Sequence, residues 1–306
     1  MTLRLEGRVA VVTGAGAGLG RAHALLLAKQ GAKVVVNDLG STMDGKGENM
    51  AAADRVVDEI RDAGGEAVAN YDSVATKEGG EAIVAAALHA FGRIDVLVNN
   101  AGILRDKSFA KTNLDDFRAV FDVHYWGGVF CTRAAWNPML EQGYGRVIFT
   151  TSVAGTSGNF GQANYGSAKE GLLGLMRTLA IEGAKKNVLV NAVSPGARSR
   201  MTENLGIPED YLAMLDPAHV SPAVAYLASE ACADTGVIVT AAAGGFGRLH
   251  YFESQGVQFD PHGPASVEQV ADAWGRITAF EGMKPSEFGA SGRTQDRLAT
   301  LKRPAG

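Results

Sequence analysis

The sequence predicts an α/β protein of the Rossmann type, a doubly wound seven-stranded parallel sheet with helices on both faces, followed by a C-terminal extension. Three observations predict it. Short β-branched runs alternate with amphipathic segments of helical period. Those runs are almost continuously apolar, as strands covered on both faces must be. The first of them opens through a glycine-rich turn, TGAGAGLGR (13–21), straight into a helix. Right-handed crossovers then bring ligands to the carboxyl ends of the strands.

In chain order, RVAVVTG (8–14) reads as a strand and GRAHALLLAKQG (20–31) as a helix that stops at glycine. KVVVND (33–38) is a strand, AADRVVDEIRDAG (52–64) a helix and EAVANYD (66–72) a third strand. The helix EGGEAIVAAALHAFG (78–92) and the strand IDVLVNNAG (94–102) follow, then one long helical stretch from about 114 to 142. GRVIFTTS (145–152) precedes a helix that contains Tyr165 and Lys169, and NVLVNAVSPG (187–196) is the sixth strand. SPAVAYLASEA (221–231) and TGVIVTA (235–241) supply the last helix and strand. The expected division is a nucleotide-binding domain over 1–249 and an extension over 250–306, with one helix at 266–280. The loop LGSTMDGKGENM (39–50) is unusually long and polar for its place after a strand.

Composition narrows the function classes. A chain of 306 residues, 46% hydrophobic and 20% charged, is that of an ordinary soluble globular protein. A net charge of −4 lacks the basic footprint of a nucleic-acid binder. Cys131 and Cys232 flank no ligand-like spacing and the six histidines form no paired motif, so no metal site is expected. No signal peptide opens the chain and no apolar run approaches the ~20 residues of a membrane span. A cytoplasmic protein that does not engage membranes is expected.

The glycine turn does not fit GxGxxG in register; it fits GxxxGxG, with Gly14, Gly18 and Gly20. The chemistry is the same. Glycines let the backbone approach a pyrophosphate, whose charge meets the N-terminus of the following helix. Asp38, at the end of the second strand, is placed to accept hydrogen bonds from ribose hydroxyls. A 2′-phosphate there would face a carboxylate with no cation in the glycine loop to offset it. NAD is therefore expected rather than NADP. Asp72 and Asn99 end the third and fourth strands and point to the same edge.

Tyr165 and Lys169 lie four residues apart, one helical turn, and so share a face. Ser152 ends the fifth strand nearby in the fold. A cation within ~4–6 Å lowers an acid by roughly one to three pKa units. Lys169, with a positive nicotinamide beside it, is thus expected to bring the Tyr165 phenol toward neutrality, where a base works best. Ser152 would hold the substrate oxygen.

With these residues assembled, the chain resembles the short-chain dehydrogenase/reductase family, on TGAGAGLG, NNAG (99–102), Ser152, YGSAK (165–169) and SPG (194–196). A narrower likeness, carried by VVVNDLG, ANYDSV, NNAGILRDKSF, GNFGQANYGSAKEGLLGL and SRMT, is to the (3R)-hydroxyacyl-CoA dehydrogenase branch found in peroxisomal multifunctional enzymes of type 2, also called 17β-hydroxysteroid dehydrogenase type 4. The resemblance implies an NAD-dependent alcohol dehydrogenase acting on an acyl-CoA or a steroid, and a homodimer or homotetramer. It implies catalysis by Ser152, Tyr165 and Lys169. It implies cofactor contacts from Leu19, Asp38, Asp72, Ser73, Asn99, Ala101, Gly102, Tyr165, Lys169, Pro195, Ala197, Arg198, Ser199 and Arg200. Where the family places a catalytic asparagine, this chain has His124, which either holds the water of a proton relay or packs at a helix bend. The final RPAG is not a peroxisomal SKL-type address, so a stand-alone bacterial-type enzyme is expected. Arg105, Lys107, Arg198 and Arg200 are candidates for the phosphates of CoA. A 3-oxoacyl carrier-protein reductase fits less well, because Asp38 disfavours NADPH, and a non-catalytic NAD-binding regulator need not keep the serine, tyrosine and lysine together.

Overall fold

The computed structural model describes residues 4–40, 51–197 and 214–285. The chain divides into two compact units, Met1–Arg248 and Leu249–Gly306. In the first, β1 (Val9–Thr13), β2 (Lys33–Asn37), β3 (Ala67–Asn70), β4 (Val96–Asn99), β5 (Gly145–Thr150), β6 (Val188–Gly196), β7 (Ile238–Ala242) and β8 (Gly245–Leu249) form one sheet. Its order is β3-β2-β1-β4-β5-β6-β7-β8. The pairings from β3 through β7 are parallel, with β1 against both β2 and β4. The chain reverses direction outward from β1, so the strand ends around β1 and β4 open a crevice at the switch point.

The continuous apolar runs explain the central strands: all five residues of β1 and all six of β5 are buried. The eighth strand extends the pattern read from the sequence. Ala243 and Gly244, with φ of 47° and 79°, form a two-residue turn in the left-handed region. That turn sends the chain back beside β7 as a hairpin.

Between the strands lie α1 (Gly18–Lys29), α2 (Ala51–Asp62), α3 (Lys77–Phe91), α4 (Leu114–Phe121), α5 (Gly127–Gln142), α6 (Val153–Thr156), α7 (Ala163–Gly183) and α8 (Ser221–Ala228). The single helix expected from 114 to 142 is instead α4 and α5 joined by a π-helical turn, Asp122–Trp126. Such a turn inserts one extra residue per turn and re-aims its side chains. Strand ends also fall short of the sequence reading. Asp38 lies one residue beyond β2, Asp72 two beyond β3, and Ser152 two beyond β5, where it is the N-cap of α6. All three therefore sit in the crevice rather than in the sheet.

At the opposite end of the strands, Asp95 is fully buried but satisfied: it pairs with Arg8 at 3.0 Å and Arg93 at 2.7 Å and accepts from Val9 N at 2.9 Å. This anchors β1 to β4 below the site. In the second unit a short antiparallel pair, β9 (Phe252–Glu253) with β10 (Lys284–Pro285), accompanies α9 (Val267–Ile277). Ser266 and Gln269 close a capping box at the start of α9. Among the described residues no helix is long and apolar enough to cross a membrane, and no group of three acidic, histidine or cysteine side chains is placed to hold a metal ion.

Candidate active site

A cleft of about 720 Å³ lies at the carboxyl ends of the strands. On one side it is floored by the glycine turn. Gly14 (φ 64°) approaches the β4 loop so closely that a Cβ would lie 2.7 Å from Ala101 Cα, and a Cβ on Gly20 would lie 2.1 Å from the Gly14 carbonyl. Gly18 differs: at φ 54° its missing side chain leaves open space, with nothing within 4 Å. The first turn of α1 has no side-chain cap, so its N–H groups are left for a ligand. This cradle fits a dinucleotide pyrophosphate.

Asp38 fits the adenosine end. Its carboxylate accepts from Gly16 N at 2.7 Å and Gly40 N at 2.6 Å while lining the cleft. Those bonds aim the acid and leave lone pairs for sugar hydroxyls. Gly16, which the motif reading passed over, is needed here because a Cβ would lie 2.8 Å from the Asp38 carboxyl carbon. Asp72 is held by Asn70 Nδ2 at 2.7 Å, and Asn70 in turn accepts from the buried Asn37 at 2.8 Å. These two buried asparagines were not found in the sequence, where they look like ordinary strand ends.

Leu19, Ser73, Ala101, Gly102, Pro195 and Ala197 line the cleft. Asn99 does not. Its amide donates to Thr132 Oγ1 at 3.0 Å inside the core, because successive residues of a strand face opposite sides. The neighbour Asn100 faces the site instead and donates to the carbonyls of Thr13 at 3.0 Å and Gly14 at 3.1 Å, clamping the glycine turn. Arg198, Ser199 and Arg200, with the rest of the segment from 198 to 213, lie outside the described residues.

The catalytic candidates converge on the other side of the cleft. Two glycines bring them together: a Cβ on Gly166 would lie 2.6 Å from the Ala154 carbonyl, and one on Gly155 would lie 3.0 Å from Lys169 Cβ. The short α6 can therefore press against α7, and Ser152 comes within hydrogen-bonding reach of the Tyr165 phenol. Lys169, 2% exposed, donates from Nζ to the Thr150 carbonyl at 2.6 Å and lies 5.6 Å from the centre of the Tyr165 ring. The π-helical turn points His124 inward, edge-on to Tyr165 with ring centres 5.0 Å apart. Gly102 makes room for it, since a Cβ there would lie 2.3 Å from His124 Cε1.

Electrostatics correct one expectation. Tyr165 is pushed above its ordinary value of 10.0 by burial, which the Ser152 hydrogen bond opposes and the Asp106 carboxylate reinforces. Lys169 does not pull the phenol down, because burial lowers its own pKa from 10.5 to about 7. A buried ammonium cannot serve its neighbour fully when its own charge is disfavoured.

His124 is likewise held well below 6.5, by burial first and then by Lys169, so it is neutral. Its Nε2 lies 2.8 Å from the Ile103 carbonyl and 3.1 Å from the Ile103 amide. A neutral ring satisfies one of these, and Nδ1, buried without a protein partner, takes the complementary role as donor or acceptor. His124 therefore sits at a helix irregularity, as one of the two sequence alternatives had it, and its Nδ1 is a buried polar atom beside the cleft.

Arg105 and Lys107 both reach Asp116, at 3.0 and 3.3 Å, so these two candidate phosphate cations share one carboxylate.

The profile of the short chain dehydrogenase family matches residues 8–208, and the chain belongs to that family of oxidoreductases. It is 51% identical to a putative short-chain type dehydrogenase/reductase of Mycobacterium tuberculosis, over 93% of this chain and 98% of that protein. It is 50% identical to the peroxisomal multifunctional enzyme type 2 of Drosophila melanogaster over 99% of this chain, but spans only 51% of that enzyme. The solved full-length structure of that enzyme overlays with a TM-score of 0.81 at 44% identity, covering 98% of this chain and 50% of the enzyme. A 7α-hydroxysteroid dehydrogenase solved with NADH and 7-oxo glycochenodeoxycholic acid overlays with a TM-score of 0.72 at 32% identity, over 80% of this chain and 96% of that one.

Proposed function

We propose that the chain oxidises a 3-hydroxyacyl-CoA, of 3R configuration by resemblance, to the 3-oxoacyl-CoA with NAD. The observation that carries the reading is the meeting of Ser152, Tyr165 and Lys169 on the wall of a cleft floored by a pyrophosphate cradle. The likeness to the multifunctional enzyme along nearly the whole chain supports the acyl-CoA class. Asp38 supports NAD over NADP.

Gly14, Gly18, Leu19, Gly20, Asp38, Asp72, Ser73, Ala101, Gly102, Pro195 and Ala197 would hold the cofactor. When bound, NAD supplies the hydride acceptor and a positively charged ring. Ser152 holds the substrate oxygen, and Tyr165 removes the proton from the substrate hydroxyl. Lys169 would bond the cofactor's nicotinamide ribose, and His124 Nδ1 would seat the water that passes the proton onward.

A second reading, a hydroxysteroid dehydrogenase, is favoured by the overlay on the 7α-hydroxysteroid enzyme. Following NADH absorbance with a short panel of (3R)- and (3S)-hydroxyacyl-CoA esters and free hydroxysteroids separates the two. Turnover of steroids alone would remove the acyl-CoA assignment, and turnover of neither would remove both. Assembly as a homodimer or homotetramer and residence in the cytoplasm belong to the same proposal. Light scattering tests the first; imaging of a tagged chain tests the second against the peroxisomal placement in the relative's name.

A further inference from the structure

The segment Ile103–Lys107, just past NNAG, touches both halves of the acid–base machinery. Ile103 holds His124 Nε2 through its main chain. The Arg105 carbonyl accepts from Asn164 Nδ2 at 3.1 Å, and Asn164, 1% exposed, accepts from Tyr165 N at 2.8 Å. The Asp106 carboxylate accepts from Gln162 Nε2 at 2.7 Å, and Lys107 N donates to the Gly161 carbonyl at 2.9 Å. Gln162 in turn accepts from Asn159 Nδ2 at 3.0 Å, and both line the cleft. Three consecutive residues are therefore stapled to three of the four that precede Tyr165.

The need for such a staple is physical. Gln162, the N-cap residue of α7, makes no side-chain capping bond to the helix. The first turn of a helix without a cap frays most readily. Here that turn carries the phenol.

We infer that Ile103–Lys107 is a positioning strap for Tyr165, and that the Asp106 carboxylate, anchored on Gln162 one turn before the phenol, places a negative charge near it. The cations of the strap, Arg105 and Lys107, both reach across to Asp116. The other charged or titratable groups around the phenol are Lys169 on its own helix, His124 and Asp122 on the π-helical turn, and Arg105 on the cleft wall. His124 is held neutral, and burial lowers Lys169 to about 7. Burial is the larger cause of the raised Tyr165 pKa, and the Asp106 carboxylate adds to it. Asp106 is a positioning residue, since its bond is to Gln162 rather than to a reacting atom.

Two substitutions in the full chain separate charge from geometry. Asp106→Asn removes the charge yet keeps an acceptor for Gln162; Asp106→Ala removes both. The titration of Tyr165 is read without substrate, as the tyrosinate absorbance difference between each protein and its Tyr165→Phe counterpart. Asp106→Asn should lower the midpoint by about half a pH unit, the size for one exposed charge acting through a water-like dielectric. Hydrogen exchange at the amides of 161–165 should accelerate in Asp106→Ala and stay near the wild-type rate in Asp106→Asn. An unchanged midpoint in Asp106→Asn overturns the role of the charge. Equal exchange in the alanine variant and the wild type overturns the strap. Neither readout depends on which alcohol the enzyme oxidises.

Discussion

Replacing Lys169 with methionine should stabilise the protein while destroying its activity, and the gain should depend on pH in a defined way. Lys169 is 2% exposed and its one protein hydrogen bond in the site is to the Thr150 carbonyl. A fall in its pKa from 10.5 to about 7 on folding means the folded state disfavours the ammonium. At about 1.36 kcal/mol for each unit, that is a cost of up to roughly 5 kcal/mol, and half that is a prudent expectation after local relaxation. The sign follows from proton linkage. Below pH 7 both states carry the proton, so the full cost of burying the charge is present. Between about pH 7 and 10.5 the unfolded chain still binds a proton that the folded chain has lost, so stability rises with pH. Above 10.5 the cost is gone. Methionine matches the stem in length and carries no charge. The variant should therefore exceed the wild type by about 2–3 kcal/mol at pH 6, less the lost hydrogen bond, and the advantage should shrink toward zero by pH 10. Urea unfolding followed by circular dichroism from pH 6 to 10 measures this directly. A difference that stays constant across that range would mean Lys169 is not a desolvated cation in the folded protein, and the reasoning would fail.

Tyr165→Phe should reduce turnover by at least about a thousandfold while changing NAD affinity, read by fluorescence titration, less than twofold, since only the phenol oxygen is lost. His124→Ala should slow kcat by about tenfold, and His124→Asn should recover most of it if Nδ1 serves only to seat a water; equal losses in the two would deny that role. Asp38→Ser combined with Ala17→Arg should reverse the preference from NAD to NADP, because Ala17 lines the cleft beside the acid; an unmodified enzyme that already prefers NADP would refute the reading of Asp38. Neutralising Arg105, Lys107 and Arg198 together should raise KM for an acyl-CoA about tenfold, some 1.4 kcal/mol, and leave a free hydroxysteroid nearly unaffected. An equal loss on both substrates would end the CoA-phosphate proposal.

The sheet and the glycine cradle were legible because each depends on local signals. Buried parallel strands need unbroken apolar runs, and a backbone at positive φ beside a neighbouring loop needs glycine at Gly14. The hairpin at Ala243–Gly244 was missed because its left-handed residues include an alanine, which does not announce such a turn. The π-helical turn was missed for a related reason: one extra residue in a helix leaves the apolar periodicity nearly intact on either side. Yet that residue decides whether His124 faces the phenol.

The charges were the least legible part, and the cause is geometric. Tyr165 and Lys169 four apart predict proximity, but not that the lysine would spend a hydrogen bond on Thr150 and lose much of its own charge to burial. Arg105 and Lys107 read as a positive patch until Asp116, nine residues beyond Lys107, turns back to meet both. Asp106, the acid between them, is left to Gln162 instead. Spacing along the chain reports which groups are neighbours, whereas a pKa depends on which neighbour each group has already chosen. In the free protein the phenol is therefore a weaker acid than an exposed tyrosine. With Tyr165 in the proposed role of base, catalysis near neutral pH would draw on the positive charge that arrives with the cofactor. Ligand-free Tyr165 should titrate above 10, and NAD binding should bring that midpoint down.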